Sequence, residues 1–152
     1  MGNSASTLII PVENQVRELD AKILLACVAA ERGFSVIIGS RAFVHFEVAS
    51  VPRGVYLAKS MRSLSNSMFR ILRLLGHEIV AWEEEALVHT PPDTYFTLRL
   101  SPTPLRHVSH VFACGQENVD FLQQYPIFPE KMPLHFSANP AVPIRCPHIR
   151  PS

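Results

Sequence analysis

The sequence is poor in the residues that build cross-linked or metal-held domains. Its three cysteines, Cys27, Cys114 and Cys146, are far apart and odd in number, and none belongs to a CxxC pair. That pattern indicates neither a disulfide framework nor a zinc knuckle. His107 and His110 do not complete a set of three or four ligands, so the sequence predicts no metal site.

Glycine is also scarce, with six residues in a chain of 152. No GxGxxG pattern follows the first apolar segment, where a dinucleotide pyrophosphate requires close approach of the backbone. This absence disfavours a nicotinamide or flavin enzyme. The sequence therefore predicts no cofactor.

An excess of one charge is missing as well, because 14 basic side chains face 13 acidic ones and the net charge is +1. A nucleic-acid partner would call for a strongly basic face, so none is predicted. No apolar run reaches the roughly 18 residues of a membrane helix. Residues 1–6 lack the basic and apolar regions of a secretory signal, and the expected compartment is the cytoplasm.

Apolar side chains are plentiful, at 47% of residues, and they form short runs of two alternating kinds. Strand-like runs cover residues 7–12, 35–39, 54–58, 77–82, 108–113 and 134–136. Helical patterns cover residues 17–32, 41–50, 64–75, 93–100 and 117–125. Short apolar strands that alternate with helices are typical of parallel sheets buried on both faces. The sequence thus predicts a doubly wound, Rossmann-like α/β domain.

The first predicted helix has one apolar face, made of Leu19, Ile23, Ala26, Cys27 and Ala30. The charged residues Glu18 and Lys22 fall on other faces. We therefore expect the apolar face to pack on the sheet and Gly33 to end the helix.

Proline divides the chain into regions of different character. Eleven of the thirteen prolines lie from Pro91 onward, and four of them crowd the last thirteen residues. Because proline removes a backbone donor, residues 138–152 are predicted to form an irregular tail. Residues 1–6 are predicted to be a disordered peptide, and residues 7–137 to be the folded domain.

Three glutamates, Glu83, Glu84 and Glu85, follow the fourth predicted strand without a break. Ligands of open parallel sheets bind outside the carboxyl ends of the strands. Adjacent carboxylates repel one another, and shielding from water would raise the pKa of at least one, which suits a general base. The alternative is a solvated acidic turn.

Polar side chains also follow the first two predicted strands. The turn after the first strand opens a helix and contains Glu13, Asn14, Arg17 and Glu18. Backbone N–H groups at such a turn bind anionic or sugar ligands. The alternative is a capping and ion-pair cluster at the helix start. Ser40 and Arg41 follow the second strand, where they either contact a phosphate or carboxylate or are simply solvated.

Three segments, residues 9–22, 31–39 and 82–88, resemble bacterial surface carbohydrate biosynthesis proteins, and the likeness extends from about residue 8 to residue 140. That family is similar to GT-B glycosyltransferases, in which two Rossmann-like domains face each other across a cleft. The resemblance implies that this chain is the N-terminal, acceptor-side domain. An acidic-acidic-glycine motif of the family falls on Glu84, Glu85 and Ala86, with alanine in place of glycine. Glu84 would then deprotonate the acceptor hydroxyl and Glu85 would orient either that hydroxyl or the loop, with Glu83 contacting the substrate.

The resemblance also implies the partners. They are a nucleotide-activated sugar, a CMP-linked acidic sugar among the candidates, and a glycan acceptor, and the protein itself is expected to associate peripherally with the inner face of the membrane. Family members continue into a donor-binding domain after a dipeptide like Asn139-Pro140. We therefore expect this chain to be truncated and inactive alone. We also expect it to dimerise through the exposed half of the cleft. The alternatives are a folded remnant or interaction domain without chemistry, and a small Rossmann enzyme that modifies nucleotide sugars.

Overall fold

A computed structural model describes residues 6–82, 91–126, 128 and 132–136, which form an α/β domain around a six-stranded parallel sheet. The strands are β1 (Thr7–Val12), β2 (Ser35–Ser40), β3 (Gly54–Ala58), β4 (Glu78–Trp82), β5 (His110–Ala113) and β6 (Leu134–Phe136). The helices are α1 (Gln15–Glu31), α2 (Arg41–Phe46), α3 (Asn66–Leu74), α4 (Pro92–Leu98), α5 (Pro102–Leu105) and α6 (Gln116–Gln123), with a 3₁₀ turn at Ser63–Ser65 before α3. The predicted doubly wound, Rossmann-like fold is confirmed.

The strands lie in the order β2-β1-β3-β4-β5-β6, and every neighbouring pair is parallel. Thr7 of β1 pairs with Ser35 of β2 on one side and with Gly54 of β3 on the other. The chain therefore reverses its direction across the sheet between β1 and β3. Doubly wound sheets bind ligands at the carboxyl ends of the strands at such a switch point.

Described helices pack on both faces of the sheet, α1 on one face and α2 to α6 on the other. On one face, Ile9, Tyr56 and Ile79 pack with residues of α2 to α6 in the larger core cluster. The neighbouring strand residues point the opposite way, because side chains alternate along a strand. Ile10, Leu57 and Val80 form a smaller cluster there, against Leu25 and Ala26 of α1.

The predicted core face of α1 is largely wrong, although Ala26 packs on the sheet as predicted. The buried residues of this helix are Glu18, Lys22 and Ala29. Ile23, Cys27 and Ala30 are exposed instead. The helix is rotated because Glu18 forms buried ion pairs with Lys22 and with Lys59, the residue after β3, and these ion pairs face the sheet.

Gly33 ends α1 as predicted and Gly76 follows α3 in the same way, since their φ angles of 89° and 85° lie in the left-handed region. Gly54 at the start of β3 has a different role. A Cβ atom at this position would lie 2.2 Å from the carbonyl oxygen of Thr7, so only glycine lets β3 approach β1 so closely.

Candidate functional site

A cavity of about 230 Å³ lies at the switch point, beside the carboxyl ends of β1 and β3. Its polar wall comes from the residue after β1, from α2, and from β3 and the residues that follow it: Glu13, Arg41, His45, Tyr56, Lys59 and Ser60. The remainder of the wall comes from Ala58, the 3₁₀ turn and the start of α3: Leu64, Ser65, Met68 and Phe69. The topology and the cavity therefore indicate the same edge of the sheet.

A buried ion-pair network lies behind this wall. One oxygen of Glu18, Oε2, accepts hydrogen bonds from Lys22 Nζ at 2.9 Å and from the amide of Glu13 at 3.1 Å. The other, Oε1, accepts from Lys59 Nζ at 2.5 Å. Lys22 Nζ also donates to the carbonyl oxygen of Pro11 at 2.8 Å. The network thus ties the end of β1, the first turns of α1 and the end of β3 to one another.

The environment of Glu18 determines its charge. Burial alone would raise its pKa, but the hydrogen bonds from Lys59, Lys22 and the Glu13 amide lower the pKa to about 2. A carboxylate with so low a pKa is a poor general base at neutral pH. Glu18, which is 5% exposed, therefore acts as a fixed anion that positions Lys59 at the cavity.

Glu13 lies at the mouth of the cavity between two cations. Its Oε1 accepts a hydrogen bond from Arg41 Nη1 at 2.8 Å, and its Oε2 lies 3.9 Å from Lys59 Nζ. The Glu13 side chain is partly exposed and the Arg41 side chain is more so. Both an acceptor and a donor group are thus accessible to a ligand at this rim.

His45 and Tyr56 share a hydrogen bond of 2.6 Å between Nε2 and the phenol oxygen, inside the cavity. Burial lowers the pKa of His45, and the charge of Arg41 lowers it further, against a smaller opposite effect of Glu13. Burial raises the pKa of Tyr56 well above its usual range. At neutral pH the cavity therefore contains an uncharged imidazole next to an uncharged phenol.

The other predicted binding residues at these turns lie at helix starts. Asn14 is the N-cap of α1, where its side chain accepts a hydrogen bond from the amide of Arg17 at 3.3 Å. Arg17 itself is exposed. Ser40 caps α2 by accepting from the amide of Phe43 at 3.3 Å. Capping explains Asn14 and Ser40 locally, and substrate contact by these residues stays a prediction.

The predicted catalytic residues Glu84 and Glu85, together with Glu83, lie outside the described residues, as do most of the predicted N-terminal peptide and the whole predicted tail. In sequence the acidic run begins directly after Trp82, the last residue of β4. Strand β4 pairs with β3, whose end is followed by Lys59.

Sequence reasoning missed four residues of the polar wall: His45, Tyr56, Lys59 and Ser60. Lys59 follows the third predicted strand directly, so its position matched the criterion by which Glu13 and Arg41 were found. His45 and Tyr56 belong to a short helix and a buried strand, and no local pattern marks their contact.

Among the described residues, no group of three or more histidine, cysteine or acidic side chains is arranged to hold a metal ion. Comparisons with protein-family models, with curated proteins and with solved structures found no match to this chain. The fold and the site define a doubly wound α/β domain with a polar cavity at its switch point.

Proposed function

We propose that this chain is the acceptor-side domain of a glycosyltransferase of surface polysaccharide biosynthesis. The enzyme transfers a nucleotide-activated sugar, a CMP-linked acidic sugar among the candidates, to a glycan acceptor. The polar cavity at the switch point is the observation that carries this proposal, and the resemblance supports it. Segment 9–22 contributes the end of β1 with Glu13 and Glu18, segment 31–39 contains most of β2, and segment 82–88 begins at the end of β4.

The size of the cavity favours a sugar ring as its occupant. At about 230 Å³ it is smaller than the roughly 300–1,000 Å³ of pockets that hold drug-sized ligands. A whole nucleotide sugar is too large for it. This supports binding of one acceptor sugar here and binding of the donor nucleotide elsewhere.

The chemistry of the wall also favours an acceptor rather than a nucleotide. Sugar hydroxyls both donate and accept hydrogen bonds, and the wall offers the carboxylate of Glu13, the cations of Arg41 and Lys59, and the uncharged His45–Tyr56 pair. A pyrophosphate at the β1 turn would face the Glu13 carboxylate, without the glycine-rich backbone that binds phosphates.

The proposed reaction is attack of the acceptor hydroxyl on the anomeric carbon of the donor. A bond forms between the acceptor oxygen and that carbon, the bond to the nucleotide phosphate breaks, and Glu84 takes the hydroxyl proton. Glu85 orients the acceptor and Glu83 contacts the substrate. The cavity residues Glu13 and Arg41 contribute by holding the sugar in position.

Glu84→Gln tests this assignment in a protein that joins this domain to a donor-binding domain. Transfer from CMP-sialic acid to a glycan acceptor should fall by a factor of about 10²–10⁴, because the base is lost, with little change in acceptor affinity. Glu31→Gln at the exposed end of α1 is the matched control and should retain full activity. Full transfer by the Glu84→Gln variant would refute the role of Glu84 as the base.

A second candidate is an interaction domain without chemistry. It is favoured by apolar side chains that α1 leaves exposed to solvent: Val16, Ile23 and Leu24. In this case the chain should self-associate through α1, which light scattering of the purified protein measures. A monomer at every concentration tested would contradict this candidate.

A further inference from the structure

Helix α3 has arginines and large apolar side chains together on its outer face. Its inner residues Phe69 and Leu72 are buried in the core. On the outer face Arg70 and Arg73 are exposed, and so is Leu74, at 85%. Since Arg70 and Leu74 are four residues apart, they lie next to each other on the helix surface.

Helix α5 extends this surface, because it packs beside α3 and its C-cap residue is the exposed Arg106. The pKa of the neighbouring His107 is lowered by its burial and then by the charges of Arg106, Arg73 and Arg70. All three guanidinium groups are therefore near enough to this imidazole to lower its pKa, and α3 and α5 are in contact.

These arginines have no acidic partner in the part of the chain that the structure describes. Arg73 donates a long hydrogen bond, 3.4 Å, to the carbonyl oxygen of His77. No described carboxylate forms an ion pair with Arg70, Arg73 or Arg106. Three neighbouring cations raise the local positive potential and attract an anionic partner.

The apolar residues distinguish between anionic partners. Leu74 and the half-exposed Ile71 lie among the arginines, and a nucleic-acid backbone gives them little to pack against. An anionic bilayer binds both kinds of side chain, since its headgroups attract arginine and its acyl boundary takes up leucine. No described helix is long and apolar enough to cross a membrane.

We propose that the outer face of α3 and the C-terminal end of α5 dock on the surface of an anionic lipid bilayer. Arg70, Arg73 and Arg106 bind headgroup phosphates, while Ile71 and Leu74 enter the boundary between headgroups and acyl chains. This surface is separate from the residues proposed for sugar transfer, and its test does not depend on that activity.

Sedimentation of the full chain with vesicles tests the proposal. The chain should bind vesicles of phosphatidylglycerol mixed with phosphatidylcholine and not vesicles of phosphatidylcholine alone, and salt should weaken the binding. Each arginine at the surface contributes about fivefold, so Arg70→Gln with Arg73→Gln should weaken binding about 25-fold. Leu74→Ser should weaken it by about tenfold at constant charge.

The matched control is Arg17→Gln with Arg32→Gln, which removes two exposed arginines in or next to α1, on the opposite face of the sheet. This control should bind vesicles as the original chain does, and circular dichroism should show that all variants are folded. Equal losses in the two double variants would overturn the proposal, because binding would follow net charge only. An unaffected Leu74→Ser variant, or binding to phosphatidylcholine alone, would overturn it too.

Discussion

Glu18→Gln should strongly destabilise the fold, because the Glu18 carboxylate belongs to the buried ion-pair network. Gln keeps the shape of the side chain but removes the charge that Lys22 and Lys59 face at 2.9 Å and 2.5 Å. Removing one partner of a buried ion pair costs about 3–5 kcal/mol, because the remaining charges stay buried without the compensating one.

The lowered pKa of Glu18 indicates a similar loss of stability when its charge is removed. A fall from the ordinary 4.5 to about 2 corresponds to about 3 kcal/mol of stability. Because the folded pKa is lowered, this contribution is fully present above pH 4.5 and is lost as the pH falls through about 2. The Gln variant lacks the contribution at every pH.

Urea unfolding monitored by circular dichroism measures both the loss of stability in Glu18→Gln and its dependence on pH. At neutral pH the free energy of unfolding of Glu18→Gln should be lower by about 3 kcal/mol, and the difference from the original chain should shrink in acid. Asp20→Asn, an exposed acid on the same helix, is the control and should change stability by less than about 0.5 kcal/mol. Equal stability of Glu18→Gln and the original chain at neutral pH would refute this reasoning.

Two further substitutions test other features. Gly54→Ala should destabilise the domain by about 3 kcal/mol or more, because the new Cβ would meet the Thr7 carbonyl oxygen, whereas Gly115→Ala has open space around it and should be tolerated. Comparable urea midpoints for the two variants would contradict the close approach of β3 to β1. Arg41→Gln should raise the pKa of His45, because a nearby cation is removed, and NMR titration of the imidazole measures this. An unchanged pKa would contradict the assigned cause.

Much of the fold was readable because buried parallel strands form apolar runs. The observed bounds of β1, β3 and β6 are those predicted, residues 7–12, 54–58 and 134–136. Proline was harder to interpret. No helix was predicted between residues 100 and 108, but Pro102 begins α5, since proline suits the first turn of a helix.

The site was less predictable because its contacts join distant parts of the chain. Strand ends correctly placed Glu13 and Arg41 at one edge, where they form an ion pair. Periodicity in α1 placed Glu18 outside the core, although its contact with Lys59, 41 residues away, buries it. A local pattern contains no information about a partner from another strand. For the same reason the contact of His45 with Tyr56 was missed.

The central claim is that the cavity between β1 and β3 binds an acceptor sugar. NMR titration of the isotopically labelled chain with N-acetylglucosamine, galactose and sialic acid, and separately with CMP, tests it most directly. We predict that at least one sugar shifts the amide signals of Glu13, Arg41, His45 and Lys59, that Arg41→Gln weakens this binding, and that CMP leaves these signals unchanged. Shifts of these amides by CMP and by none of the sugars would contradict the account.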